Sequence, residues 1–250
     1  MGRQVCQAVA EDPDVALVAA ISPHRTGESI GTIIGHPEVG VRVSDLLDTV
    51  LQAETDVLVD FTTPDAVMDN VRWAMEHAVH LVVGTSGIGP EQLDEIRELI
   101  EEDGAHVVVA PNFAIGAVLS QRFAEQAARY FPAVEIIELH HEGKVDAPSG
   151  TALATARRVA AARSTEWTAP TNESLPGVRG GEVDGVRVHS VRLPGLVAHQ
   201  EILFGGMGET LTIRHDSMDR ASFMPGVLLA VKAVIARPGL TVGLEPLLES

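Results

Sequence analysis

Two imidazoles and an ammonium lie within five residues at His140, His141 and Lys144. Asp146 follows, and then Ser149-Gly150-Thr151. Histidine titrates near neutrality and lysine carries a donor cation, so the group can move a proton and steady negative charge. Ser-Gly-Thr before an alanine-rich run reads as a helix start, with Ser149 as cap. The N–H groups of Gly150 and Thr151 would then be free to hold a carboxylate. A His-His pair closing a strand is, alone, more often a solvated or core-satisfied pair. Lys144 and the Ser-Gly-Thr turn beside it favour the chemical reading. Neighbouring strand residues point to opposite faces, so His140 and His141 are given different jobs. No carboxylate or cysteine sits at convincing ligand spacing, so no metal is expected. Asp146 is read as fixing the loop rather than reacting.

These residues need a strand end and a helix start to place them. Ile136-Ile137-Glu138-Leu139 supplies the strand, expected over 134–140, and 151–163 supplies the helix. Upstream, apolar runs at 15–21, 56–61, 81–84 and 106–110 read as parallel strands buried on both faces. Helical patterns at 64–77 and 90–102 lie between them, each opened by a proline. The fold class is α/β: a Rossmann-like parallel-sheet dinucleotide domain, then an α+β domain with a mixed, largely antiparallel sheet. A long helix at 115–130 opens the second domain. A loose stretch at 164–185 and alternating runs at 186–192 and 209–215 follow. The domains are placed at 1–113 with 217–250, the latter carrying a helix at 224–236 and a tail, and at 114–216. The first residues already read as helix, so the first strand of the dinucleotide fold and most of its glycine turn are missing from the pattern. The expectation is that the natural chain begins upstream of Met1 or that cofactor binding is impaired, with little activity. An in-frame strand and glycine-rich turn in the upstream coding sequence would decide it.

The 250 residues are 45% hydrophobic and 21% charged, a globular composition. The net charge of −17 argues against nucleic acid as a partner. It also gives weight to the one basic passage beside a helix start. A single cysteine, Cys6, excludes an internal disulfide and is read as a small core residue. With no apolar stretch long enough to span a bilayer and no leader pattern, the expected location is cytoplasmic, away from membranes.

The passage from Glu138 to Ala152, Glu-Leu-His-His-Glu-Gly-Lys-Val-Asp-Ala-Pro-Ser-Gly-Thr-Ala, resembles the signature of the 4-hydroxy-tetrahydrodipicolinate reductase (dihydrodipicolinate reductase) family. Asp60-Phe61-Thr62, Gly84-Thr85-Ser86-Gly87, Ala110-Pro111-Asn112-Phe113 and Gly195-Leu196-Val197-Ala198-His199-Gln200 stand in the matching order, so the resemblance covers essentially the whole chain. It implies NADPH- or NADH-dependent reduction of a small cyclic dicarboxylate on the diaminopimelate route to lysine, by a homotetramer whose second domain binds substrate and drives assembly. It implies His140 as the acid/base residue and Lys144 as a proton donor, with the deliverer of the proton left open between them. His141, Gly150 and Thr151 would hold substrate carboxylates. Gly2 would end the phosphate-binding turn, and Gly84, Thr85, Ser86, Ala110, Pro111, Asn112 and Phe113 would line the nicotinamide side.

After the second strand of the dinucleotide pattern, an acidic residue often holds the adenine ribose; Ser22 stands there, with His24 and Arg25 close behind. NADPH is therefore expected to serve at least as well as NADH. The rival readings are another two-domain nicotinamide-dependent dehydrogenase and a non-catalytic binding protein.

Overall fold

The computed structural model describes residues 1–102, 104–165 and 167–249. In chain order the elements are α1 (Gly2–Glu11), β1 (Ala20–Ile21), α2 (Ile30–Ile34), β2 (Val43–Ser44), α3 (Thr49–Gln52), β3 (Val57–Asp60), α4 (Pro64–Glu76), β4 (His80–Val83), α5 (Pro90–Leu99) and β5 (Val107–Val109). They continue as α6 (Ile115–Ala127), β6 (Ala133–His140), α7 (Gly150–Ala162), β7 (Gly181–Val183), β8 (Val186–Arg192), β9 (Ala198–Gly206), β10 (Glu209–Ser217), α8 (Met224–Val234) and β11 (Leu240–Val242). They fall into two compact units: Met1–Phe113 with Phe223–Ser250, and Ala114–Ser222.

The first unit holds a four-stranded parallel sheet in the order β11-β5-β4-β3. Leu81, Val82, Val83, Val107 and Val108 are wholly buried, which is why these strands read as continuous apolar runs. Helices α4 and α5 pack Val67, Val71, Ala74 and Ile96 into the same core. Pro64 and Pro90 open the two helices in the first turn, where a missing N–H costs nothing. The expected strand at 15–21 shrinks to Ala20–Ile21, because only its last two residues pair, with β2. Strand β11 lies in what the sequence suggested was a tail, and three residues are too few to show a period. Helix α8 packs on this unit, and a Cβ at Gly226 would sit 2.0 Å from the Phe113 carbonyl oxygen. Only glycine allows that approach.

The second unit is a five-stranded mixed sheet in the order β10-β9-β6-β8-β7. Among the described residues its one parallel pair is β6 with β8. Strand β9 was not foreseen, although it pairs along its length with both β10 and β6. Its buried positions include His199 and Gln200, so the apolar alternation that marks a half-buried strand is broken where it starts. Helices α6 and α7 cover one face, packing Ala124, Ala152, Ala156 and Val159 against Ile136, Val188, Ile202 and Phe204. Burying each of the larger side chains contributes about 1.5–3 kcal/mol. Gly116 at the start of α6 is also forced: a Cβ there would lie 2.6 Å from the His215 ring.

Candidate active site

Alternation along β6 turns Val134, Ile136 and Glu138 toward the helices, and Glu138 is 0% exposed. A carboxylate that deep must be paired. Its partner is Arg192 at the end of β8, which stands opposite His140 in the parallel register. Arg192 Nη1 donates to Glu138 Oε2 (2.9 Å) and Nη2 to Oε1 (2.8 Å), a two-pronged bond that holds both groups in plane. Nη1 also donates to the Val191 carbonyl (2.8 Å), and the guanidinium reaches the loop after β6 as well. Nη2 donates to the Asp146 carbonyl (2.6 Å) and Nε to the Lys144 carbonyl (3.4 Å).

The same carboxylate reaches two of the sequence-derived site segments. His140 Nδ1 bonds Glu138 Oε2 at 2.5 Å. The Ser149 N–H donates to Glu138 Oε1 (3.3 Å), and Ser149 Oγ caps α7 by accepting from the Ala152 N–H (3.2 Å). The end of β6 and the start of α7 thus converge on one buried group. Burial pushes the Glu138 carboxyl up, but bonds from Arg192, Ser190 and His140 outweigh it and hold it below the usual range. Burial lowers the His140 imidazole; Glu138 opposes the shift, Lys144 and Arg192 add to it, and the net direction is down. Lys144 presents its ammonium to Asp146 Oδ1 (2.8 Å), and its N–H closes a turn on the His141 carbonyl (3.1 Å). Asp146 fixes the loop with both its side chain and its carbonyl.

Gly150 and Thr151 occupy the first turn of α7, where N–H groups have no intrahelical carbonyl to meet. A Cβ at Gly150 would meet nothing within 4 Å, so the approach to those groups is open. Beneath the turn, Thr155 Oγ1 donates to the Thr151 carbonyl (2.8 Å) and Gln121 Nε2 reaches the same carbonyl (3.3 Å). Gln200 Nε2 donates to Thr155 Oγ1 (2.9 Å). His141 is exposed beside the turn, with its ring 3.3 Å from where a Gly143 Cβ would stand. Arg179 is tied to Glu135 and not turned to this loop.

In the first unit the sequence-derived residues gather at the carboxyl ends of β3, β4 and β5, the ligand edge of an open parallel sheet. Asp60, 3% exposed, is their centre. It accepts from the Thr62 N–H and hydroxyl (both 2.9 Å), from Asn70 Nδ2 (2.6 Å) and from Thr85 Oγ1 (2.6 Å). A Cβ at Gly84 would lie 2.1 Å from the Phe61 ring, and Phe61 contacts Phe113 with centroids 5.7 Å apart. Ala110 donates its N–H to Val83 (3.0 Å). Ser86 and Pro111 are exposed, and Asn112 is half-buried between Pro111 and the buried Phe113. Gly2 opens α1, which has no side-chain cap and open space at Gly2. Uncapped N–H groups suit a phosphate, and backbone close-packed at Gly84 suits a flat ring, so the residues present fit a nicotinamide dinucleotide.

Asp60, Glu138 and Arg192 were not among the residues singled out for the site. The signal for Glu138 was visible as one charge inside an apolar strand. Arg192 carried none, because it ends an alternating strand in which a charge is ordinary.

The family profile described as dihydrodipicolinate reductase, N-terminus, matches residues 1–113, and its C-terminus counterpart matches 116–248. The 4-hydroxy-tetrahydrodipicolinate reductase of Mycolicibacterium vanbaalenii is 59% identical over 84% of this chain and 87% of its own. That of Nocardia farcinica is 52% identical over 100% of this chain and 94% of its own. Among solved structures, the dipicolinate-bound dihydrodipicolinate reductase of Paenisporosarcina sp. TG-14 is 42% identical with a TM-score of 0.85, covering 98% of this chain and 94% of that one. An amine dehydrogenase from Mycobacterium smegmatis, 16% identical with a TM-score of 0.60, shares the fold alone. With both halves matched in order and relatives above half identity along most of its length, the chain belongs to the dihydrodipicolinate reductase family.

Proposed function

We infer that the protein reduces 4-hydroxy-tetrahydrodipicolinate to tetrahydrodipicolinate with NADPH or NADH, on the diaminopimelate route to lysine. The observation that carries this reading is the convergence of His140, the Lys144 loop and the α7 start on the Glu138–Arg192 pair. Loss of the 4-hydroxyl as water leaves a conjugated imine, the acceptor in the reduction. A nicotinamide held by the first unit would supply the hydride. The electron pair displaced through the conjugated system ends on nitrogen and takes up a proton.

The chain's own residues do the rest. Gly150 and Thr151 hold one carboxylate through helix-start N–H groups and a hydroxyl, and His141 holds the other. The Lys144 ammonium opposes the developing negative charge and donates a proton. His140, kept toward its neutral form by burial, gives and takes protons from a fixed ring. In the first unit, Gly2 serves the phosphates, while Gly84, Thr85, Ser86 and 110–113 line the nicotinamide. Residues 1–113 with the closing segment act as the dinucleotide domain, and the mixed-sheet unit binds substrate and assembles.

Assembly is read as a homotetramer. The sheet face opposite α6 and α7 carries Ile137, Leu139, Val191 and Leu203, which fits a surface for another copy. No helix among the described residues is long and apolar enough to cross a membrane. The lone thiol Cys6 suits the cytoplasm.

Steady-state assays with the full-length protein, both cofactors and 4-hydroxy-tetrahydrodipicolinate test the reading. Turnover inhibited competitively by pyridine-2,6-dicarboxylate is the expected result. Dicarboxylate binding without any oxidation of NADPH or NADH would overturn it in favour of a binding protein. Light scattering giving a monomer would overturn the tetramer alone.

A further inference from the structure

We propose that Glu138 is the positioning residue of the proton-transfer step: it holds His140 by Nδ1, so that Nε2 is the nitrogen offered to substrate, while Arg192 holds Glu138. This rests on the reading of His140 as the acid/base group. Three features of the geometry carry it. Glu138 and His140 are two apart on β6 and therefore share a face. The carboxylate is wholly buried and gripped at both oxygens by Arg192, so its own orientation is fixed before His140 binds it. His140 Nε2 has no hydrogen-bond partner among the described residues, whereas Nδ1 is taken.

A bare carboxylate can only accept, so the neutral imidazole must carry its proton on Nδ1 and leave a lone pair on Nε2. The protonated ring keeps the Nδ1 bond and gains an Nε2 proton to give. One geometry thus serves both directions of proton transfer. Oε1 of the same carboxylate holds the Ser149 N–H, which ties the position of the ring to that of the α7 start. The charged groups facing His140 are Glu138 on its own strand, Lys144 on the loop and Arg192 on β8. Of these, only Glu138 favours the imidazolium.

The test is a double-mutant cycle with pH profiles. In Glu138→Gln, kcat is expected to fall about 100-fold with the KM for NADPH unchanged within a factor of about two. The limb of the kcat profile assigned to His140 should move to lower pH, because the group that favoured its protonation is gone. In a His140→Gln background, Glu138→Gln should cost nothing further. Equal losses in both backgrounds would mean that the pair only braces the fold, and would overturn the proposal. Should Glu138→Gln not fold, Glu138→Gln/Arg192→Met removes both charges at similar volume, and the same cycle is run there. The ring nitrogens of His140 in the unaltered protein give an independent reading by ¹⁵N NMR. A neutral ring protonated on Nδ1 is expected, and one protonated on Nε2 overturns the proposal. Normal turnover by His140→Gln alone would instead sink the acid/base reading beneath it.

Discussion

Each unit of this chain hangs its candidate site on one buried carboxylate at the end of a strand, and the two are satisfied in opposite ways. Asp60 closes β3 and is surrounded by neutral donors: an amide, two hydroxyls and a backbone N–H. Glu138 sits near the end of β6 and is held chiefly by a guanidinium and an imidazole, with the Ser190 hydroxyl and one backbone N–H beside them. Neutral donors fix a shape with groups that carry no charge of their own. Charged and titratable partners fix a shape that responds to protonation. The first suits a floor for a cofactor ring. The second suits a step in which a proton must move. The difference between the two carboxylates therefore follows the chemistry expected of each unit.

The sharpest way to break the contrast is to remove one partner from each carboxylate. Arg192→Met leaves Glu138 buried without its counter-ion and should destabilise by about 3–5 kcal/mol. Thr85→Val removes one of several donors to Asp60 and should cost about 1–2 kcal/mol. Urea unfolding of both variants compares them directly. Equal losses would show that charge makes no difference at these two sites. Lys144→Met separates chemistry from stability in the same loop. Among the described residues its ammonium bonds only the exposed Asp146 side chain, so unfolding should shift by less than about 0.5 kcal/mol. The kcat should fall about 100- to 1,000-fold.

Acid should test the Glu138 side of the comparison. Glu138 has a folded-state pKa below its unfolded value, so its contribution is complete above about pH 4.3 and is lost as pH falls through the folded value. His140 is also shifted down, so the unfolded chain binds a proton first. Stability should therefore begin to fall below about pH 6.5, and the fall continues until the folded His140 titrates too. Unfolding midpoints between about pH 2 and pH 8 give this profile. In His140→Gln the upper part of the slope should become shallower, with His80 and His215, also lowered by burial, supplying what remains of it, while the part due to Glu138 is kept. A slope unchanged in that variant would place the titrating group elsewhere.

The chain's order of elements was largely legible because buried parallel strands are unbroken apolar runs and α4 and α5 begin on proline. The His140-to-Thr151 passage was legible because chemistry concentrated into twelve residues stands out against a chain of net charge −17. What stayed hidden was pairing at a distance. Arg192 lies far along the chain from Glu138, and only the parallel register of β6 with β8 brings them together. Strand β9 stayed hidden because its first buried positions are polar, His199 bonded to Asp216 and Gln200 to Thr155. Asp60 read as a strand end beside Phe61, since nothing local foretold that Asn70 and Thr85 would converge on it. Periodicity reports which face is buried, and it is silent on which polar partner waits there.

Two glycines carry the comparison to a finer scale. Gly84 is required by the protein's own packing, for a Cβ would collide with Phe61 at 2.1 Å. Gly150 faces nothing within 4 Å, so only a ligand would notice a side chain there. Gly84→Ala should destabilise by about 1–3 kcal/mol and raise the KM for NADPH. Gly150→Ala should leave unfolding unchanged but weaken pyridine-2,6-dicarboxylate several-fold, measured by calorimetry. Intact dicarboxylate affinity in Gly150→Ala would remove Gly150 from the carboxylate site.

The smallest expected effect lies at the far edge of the first unit, where charge should decide between cofactors. Ser22 follows β1, and its Oγ accepts from the His24 N–H (3.3 Å), which closes a short turn. Arg25 is exposed and, among the described residues, paired only with exposed Glu28, an arrangement that holds the guanidinium weakly and leaves it free to turn to a phosphate. No carboxylate stands at Ser22 to bind a ribose 2′-hydroxyl or to repel a 2′-phosphate. Ser22→Asp should supply both effects. The ratio of kcat/KM for NADH over NADPH is expected to rise about tenfold, equivalent to about 1.4 kcal/mol. Arg25→Ala should move the ratio the same way by a smaller factor, through loss of NADPH affinity alone. The effect of Arg25→Ala should also shrink with added salt, since an exposed guanidinium acts through a screened field. A ratio unmoved by both substitutions would place cofactor choice outside this turn.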